Sequence, residues 1–428
     1  MMVVDSCEFE KKRLAKILQR GRIDLTPALK VVDRIIADVK EKGDRALLGY
    51  TKKFDKANLT ASRLRVAEEE IKDSYKRLGK TSLNSLKTAA KNIAKFHRAQ
   101  PVDAWSLEVA EGATAGQVTR PLSSVGVYVP RGEAPYPSTV LMCVIPAKIA
   151  GVNRIVVCSP PRSGGDVDPA VLVAADIAGA SEVYRAGGAQ AIAAMAYGTR
   201  TVPKVEKIVG PGNIFVTTAK IQVSRDVAIE FPAGPSEIVI IADEEADPNL
   251  IASDLLAQAE HDPRSLPILL TTSRNLAYKV ETLLHSQVKT LPRKKTAKSS
   301  LKNWGSIVLV DDMEEAVYYA NSIAPEHLEI LARNTSRLLG RIRNSGAVFL
   351  GPYSPVALGD YSAGTNHVLP TGGYAKFYSG LSTRDFVKTI SVLKCSRKGF
   401  RRLRESAASL AELEGFKGHA RSIYARGD

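Results

Sequence analysis

Ser124-Val-Gly-Val-Tyr-Val129 is a short β-branched run closed by Pro130, and Arg154-Ile-Val-Val-Cys158, Glu182-Val-Tyr184, Lys207-Ile-Val209 and Val227-Ala-Ile-Glu-Phe231 repeat its character downstream. Ala-rich helical stretches at about 167–179, 189–198 and 213–225 separate these runs. Apolar strands alternating with helices are βαβ grammar and imply a parallel sheet buried on both faces. The same alternation then begins again. Glu237-Ile-Val-Ile-Ile-Ala242, Pro267-Ile-Leu-Leu270, Ser306-Ile-Val-Leu-Val310, His327-Leu-Glu-Ile-Leu331 and Ala347-Val-Phe-Leu350 read as strands, with helices near 247–260, 274–288, 313–322 and 335–344. The expected fold class is therefore α/β, two successive parallel-sheet units with a ligand-binding cleft between them.

Outside this core, residues 1 to about 110 read as mostly helical, with apolar residues at helical spacing over Leu29 to Tyr50 and Ile71 to Phe96. A Gly- and Pro-punctuated, loop-like stretch follows Gly351 to about Ser382, and a helical tail closes the chain. At 428 residues and 44% hydrophobic content, two or three domains are expected. No apolar run reaches the roughly 18 residues of a membrane span, and the first residues lack the order of a signal peptide, so a cytoplasmic protein is expected. Cys7, Cys143, Cys158 and Cys395 lie far apart without a CxxC pair, as reduced thiols do. The net charge of +15 raises the question of nucleic acid, but the basic clusters Lys11-Lys-Arg13, Arg293-Lys-Lys295 and Arg397 to Arg404 carry no aromatic interleaving. A solvated basic surface is the expected reading, with neither a nucleic-acid nor a membrane partner.

Several short constellations carry chemistry. Gln258 and His261, at i and i+3 near a helix end, share a face and are able to begin a divalent metal site, though a polar helix end with a surface histidine gives the same pattern. Gly187-Gly-Ala-Gln190 and Gly210-Pro-Gly-Asn213 each follow a strand and open a helix, where free amides face a phosphate, although glycines end strands in most α/β proteins. Pro232-Ala-Gly-Pro-Ser-Glu237 lies at the junction of the two units, either as a cleft wall or as a rigid turn. Glu326-His327 places a carboxylate beside an imidazole, a pair that divides proton-transfer work. Asp360 offers a hard oxygen ligand and His419 another nitrogen, while His97 and His285 sit on polar helical segments.

Taken in order, Thr119 to Pro130, Tyr136 to Met142, Gly187 to Ala191, Lys207 to Asn213, Pro232 to Glu237, Ala257-Gln-Ala-Glu-His-Asp-Pro263, Pro325-Glu-His-Leu328 and Gly359-Asp-Tyr to Pro370 resemble the histidinol dehydrogenase family. That resemblance covers about residues 25–425 and implies oxidation of L-histidinol to L-histidine through a bound aldehyde, with two NAD. It implies one zinc ion per subunit on Gln258, His261, Asp360 and His419, with His327 as base toward the alcohol and Glu326 activating water. Ser236, Gln258, His261, His327, Asp360, Glu414 and His419 are expected around the substrate, and Tyr128, Gln190 and Asn213 along NAD. The fold it implies is two incomplete Rossmann-like units in an intertwined homodimer, Glu414 and His419 serving the partner's site. Its domain division is a helical arm at 1–24, a first unit of 25–127 and 238–381, a nucleotide unit of 128–237, and a helical dimerisation tail at 382–428. Arg131 departs from the family's Pro-Gly-Gly turn, and His367 has no assigned role. The alternatives are a relative turned to another amino or sulfonated alcohol, and a basic nucleic-acid-binding protein.

Overall fold

The computed structural model describes residues 1–21, 25–132, 134–231 and 234–427. Its strands are β1 (Met2–Asp5), β2 (Trp105–Ala110), β3 (Ala113–Pro121), β4 (Ser124–Tyr128), β5 (Arg154–Ser159), β6 (Glu182–Arg185), β7 (Lys207–Val209), β8 (Ala228–Ile229), β9 (Glu237–Ala242), β10 (Leu266–Thr271), β11 (Ser306–Leu309), β12 (His327–Leu331), β13 (Ala347–Leu350) and β14 (Val387–Cys395). The helices that bear on the site are α1 (Thr26–Lys42), α2 (Lys80–Arg98), α3 (Pro137–Ile149), α4 (Gly188–Tyr197), α5 (Ile214–Val223), α6 (Pro248–Ala259), α7 (Val356–Tyr361), α8 (Arg397–Leu413) and α9 (Lys417–Tyr424).

Two parallel sheets form the body, as the repeated alternation predicts. One has the order β1-β11-β10-β9-β12-β13, the other β6-β5-β4-β7-β8. Every residue of β9 is buried, as befits a central strand covered on both faces. A third sheet, antiparallel and ordered β14-β3-β2, joins distant parts of the chain.

Three expectations need correction. Residues 2–5 are not part of a helical arm: they form the edge strand β1 beside β11, and the chain turns helical only from Ser6. The expected boundary at 24 lies outside the described residues. The stretch assigned with the first unit packs instead on the second sheet, because α1 buries Ala28, Val32, Ile35 and Val39 in the same cluster as Ala189 to Ala196 of α4 and Val216 and Ala219 of α5. The small alanines of α4 admit a close helix neighbour there. The tail is not wholly helical either, since Val387–Cys395 pairs along the whole of β3 before α8 begins.

The loop-like stretch after Gly351 holds a short helix, α7. At the carboxyl end of β7, Gly210 has φ +114° and a Cβ there would stand 2.0 Å from the Tyr128 carbonyl oxygen. Gly210→Ala is therefore expected to lower stability by at least about 1–3 kcal/mol from backbone strain alone; a denaturant midpoint equal to that of the parent chain contradicts this.

Candidate active site

Glu326 and His327 lie where β12 begins, and the neighbouring strand β9 starts with Glu237. Parallel pairing sets His327 against Ile238, so the backbone of Glu237 reaches both members of the pair. The Glu237 N–H donates to Glu326 Oε2 at 2.9 Å, and the Glu237 carbonyl lies 2.9 Å from His327 Nδ1. A carbonyl only accepts, so Nδ1 carries a proton and Nε2 is the nitrogen left to exchange one. Nε2 has no hydrogen-bond partner and stands 3.5 Å from Asp360 Oδ1.

Glu237 is itself held in place. Its carboxylate is buried and takes two hydrogen bonds from Arg20, at 2.6 and 2.7 Å, and one from the Gly372 N–H at 2.7 Å. Arg20 also donates to the carbonyls of Ile17 and Ile323, both at 2.9 Å. Burial pushes the Glu326 carboxyl up to about 8. Burial alone would depress His327, but the adjacent Glu326, Asp360 and the Glu237 carbonyl outweigh it and raise the imidazole to about 9. Both shifts favour the protonated form near neutral pH.

Gln258 and His261 come from the C-terminal end of α6. Gln258 is 4% exposed and its amide has no hydrogen-bond partner among the described residues. Desolvation keeps His261 neutral, countered in part by Asp360. Burial would raise the Asp360 carboxyl, yet His327, with His367 and His261, holds it below the usual carboxylate range. A neutral imidazole, an ionised carboxylate and an unpartnered carboxamide at a helix C-terminus make a donor set that fits a divalent cation. His367 acts as a strut: its Nδ1 donates to the Asp360 carbonyl at 2.9 Å, and Nε2 lies 3.3 Å from Thr139 Oγ1 on α3.

One chain brings Gln258, His261, Asp360, Glu326 and His327 together, with Ser236 part-buried next to Glu237. Glu414 and His419 are exposed on the α8–α9 arm, where the His419 ring packs on Phe416 at 5.2 Å. Among the described residues, no three His, Cys, Asp or Glu side chains cluster to hold a metal.

The nucleotide candidates lie at the carboxyl edge of the second sheet, where β4 and β7 part at the switch in strand order. The buried Tyr128 hydroxyl accepts from the Gly188 N–H at 3.1 Å. Gln190 is 1% exposed, with Nε2 unpartnered, and Asn213 caps α5 by accepting from the N–H groups of Phe215 and Val216. Arg131 folds back to donate to the Pro161 carbonyl. Beside it, Asp55 has a buried, unpartnered Oδ2, and burial lifts its pKa to about 6 against the pull of Arg131.

A family model described as histidinol dehydrogenase matches residues 18–427. The chain belongs to the histidinol dehydrogenase family. It is 51% identical over 425 residues to the histidinol dehydrogenase of Methanothermobacter thermautotrophicus, covering 99% of each chain. It is 44% identical to that of Methanocaldococcus jannaschii, covering all of this chain and 99% of the relative. The crystal structure of histidinol dehydrogenase from Elizabethkingia anophelis superposes with a TM-score of 0.93 at 40% identity, covering 99% of this chain and 97% of that one. As a histidinol dehydrogenase family member the chain is an oxidoreductase. Arg20, the carboxylate of Glu237 and the strut His367 are the parts of its site that sequence reading missed. The Glu237 motif and His367 were both named without these roles, and neither gave a sign of the arginine more than two hundred positions before Glu237.

Removing Arg20 strands a buried carboxylate. Arg20→Met is expected to cost about 3–5 kcal/mol, and Arg20→Met with Glu237→Gln to recover part of it. Equal chemical-denaturation midpoints for the single variant and the parent chain would rule out this supporting role.

Proposed function

We propose that this chain oxidises L-histidinol to L-histidine in two NAD-linked steps, as an intertwined homodimer in the cytoplasm holding one zinc ion per subunit. The observation that carries the reading is the state of His327, its Nδ1–H fixed on the Glu237 carbonyl and its free Nε2 aimed at the Asp360 carboxylate. That leaves one basic nitrogen facing the donors Gln258, His261 and Asp360. His419 from the second subunit is the expected fourth ligand, and Glu414 its companion toward the substrate amine.

Zinc, when bound, supplies a fixed anchor for the imidazole and amine of a chelating diamine. NAD, lying along Tyr128, Gln190 and Asn213, supplies the hydride acceptor. His327 Nε2 takes the hydroxyl proton as hydride leaves the carbinol carbon. Glu326 Oε2 is engaged by the Glu237 N–H, which leaves Oε1 to orient and deprotonate the water that adds to the bound aldehyde. Loss of a second hydride then gives the carboxylate. Ser236, at the same strand edge, lines the substrate.

Purified protein given histidinol should yield two NADH per histidinol consumed and contain zinc; one NADH per substrate, or faster turnover of another alcohol, overturns the assignment. His327→Asn should lower turnover by about 100- to 10,000-fold, the usual loss on removing a general base, while zinc stays bound. His261→Asn should instead lower zinc occupancy, and full occupancy on elemental analysis would remove His261 from the ligand set.

A further inference from the structure

Two carboxyl groups beneath this site, Glu329 buried and Asp254 part-buried, have no part in the chemistry above. Asp254 lies on α6 one turn before Gln258, so that the two fall at i and i+4 on one stripe of the helix, with His261 in the turn just past its end. Glu329 lies on β12 two residues after His327 and therefore on the same face of the sheet. The two carboxyl groups are close enough to act directly on each other's ionisation.

Glu329 is 1% exposed. Its Oε1 accepts the N–H of Val356 at 2.9 Å, and Val356 opens α7, the helix that carries Asp360 one turn later. Its Oε2 is buried and has no hydrogen-bond donor among the described residues. Two carboxylates bring only acceptors to their contact, and an ionised pair out of water repels. One retained proton turns the same contact into an O–H···O bond. Burial raises the Asp254 pKa to about 6, and burial together with Asp254 raises Glu329 to about 8.

We propose that Asp254 and Glu329 share one proton and form a positioning pair that joins α6, β12 and α7, the three elements that bring Gln258, His261, His327 and Asp360 together. Neither group touches substrate. The pair fixes the spacing between the helix bearing the nitrogen and carboxamide donors and the helix bearing the carboxylate, and partners of this kind are worth about 10- to 100-fold in metal affinity. The proposal rests on the zinc reading given above.

The test compares zinc affinity, by chelator competition, and the thermal midpoint of the metal-free protein for the parent chain, Glu329→Gln and Glu329→Leu. The glutamine keeps an acceptor for the Val356 N–H and brings a permanent donor to Asp254, so it should bind zinc nearly as the parent chain does. The leucine fills the space but breaks both bonds, and its zinc affinity should fall about 10- to 100-fold. Should the leucine variant fail to fold, Glu329→Asp, one methylene short of reaching both partners, replaces it in the comparison. Unchanged zinc affinity in the leucine or aspartate variant overturns the proposal. So does a glutamine variant as weak as the leucine or aspartate variant, because a bulk packing role gives no amide rescue. A parent chain that binds no zinc removes the metal reading and this inference together, whereas tight parent binding with an unaffected Glu329→Leu removes this inference alone.

Discussion

The Arg20–Glu237 ion pair is the constraint on which the rest of the site depends. Both side chains are almost fully buried, at 6% and 3% exposure. Charges held out of water persist only with close partners and satisfied hydrogen bonds. Here the guanidinium spends its remaining donors on two backbone carbonyls, and the carboxylate takes the Gly372 N–H as well. That fixes the first residue of β9, whose own N–H and carbonyl then hold Glu326 and His327. One salt bridge therefore orients the Glu326 carboxylate, fixes a proton on His327 Nδ1 and anchors the loop that returns from Asp360.

The two sheets present opposite edges to the ligands. The second obeys the rule that α/β sheets bind outside the carboxyl ends of their strands at a switch in strand order. In the first, the functional residues stand at the amino edge: Glu237 opens β9 and His327 opens β12. The reason lies in α6, which returns antiparallel to the strands and so delivers its C-terminal end, with Gln258 and His261, to that edge. The negative end of a helix dipole favours a cation and disfavours a phosphate. The amino-terminal ends of α4 and α5, at the other sheet, have the opposite preference. On the proposed assignment, metal and nucleotide chemistry would separate by helix polarity before any side chain is considered.

What was legible in the sequence follows from locality. The strand runs Glu237 to Ala242, His327 to Leu331 and Ala347 to Leu350 appear as read, the first two buried along their whole length as central strands covered on both faces are. The antiparallel sheet was not legible. Val387–Cys395 interleaves lysines with apolar residues, is exposed along most of its length, and pairs with residues some two hundred and seventy positions earlier. The supporting partners were hidden for the same reason: Arg20 with Glu237 and Asp254 with Glu329 are pairings of sequence-distant groups that no spacing rule connects. Gln258, His261, Glu326, His327 and Asp360 were visible because two adjacent pairs and one loop carboxylate keep their chemistry within a few residues of each other.

Under the proposed zinc reading, the α8–α9 arm bears on assembly. Three donors from one chain satisfy neither a tetrahedral nor a higher coordination shell. His419, the imidazole proposed to complete it, is exposed on an arm whose main contacts are within itself and with the antiparallel sheet. The same arm and sheet expose Leu107, Val109, Leu393, Leu410, Leu413 and Phe416, a density of apolar surface that monomers rarely leave in water. In the proposed dimer, an arm exchanged between two copies would cover those side chains and would carry His419 and Glu414 toward the partner's site. Metal affinity and subunit association would then be linked free energies, each strengthened by the other, because the fourth ligand is present only when the second subunit is.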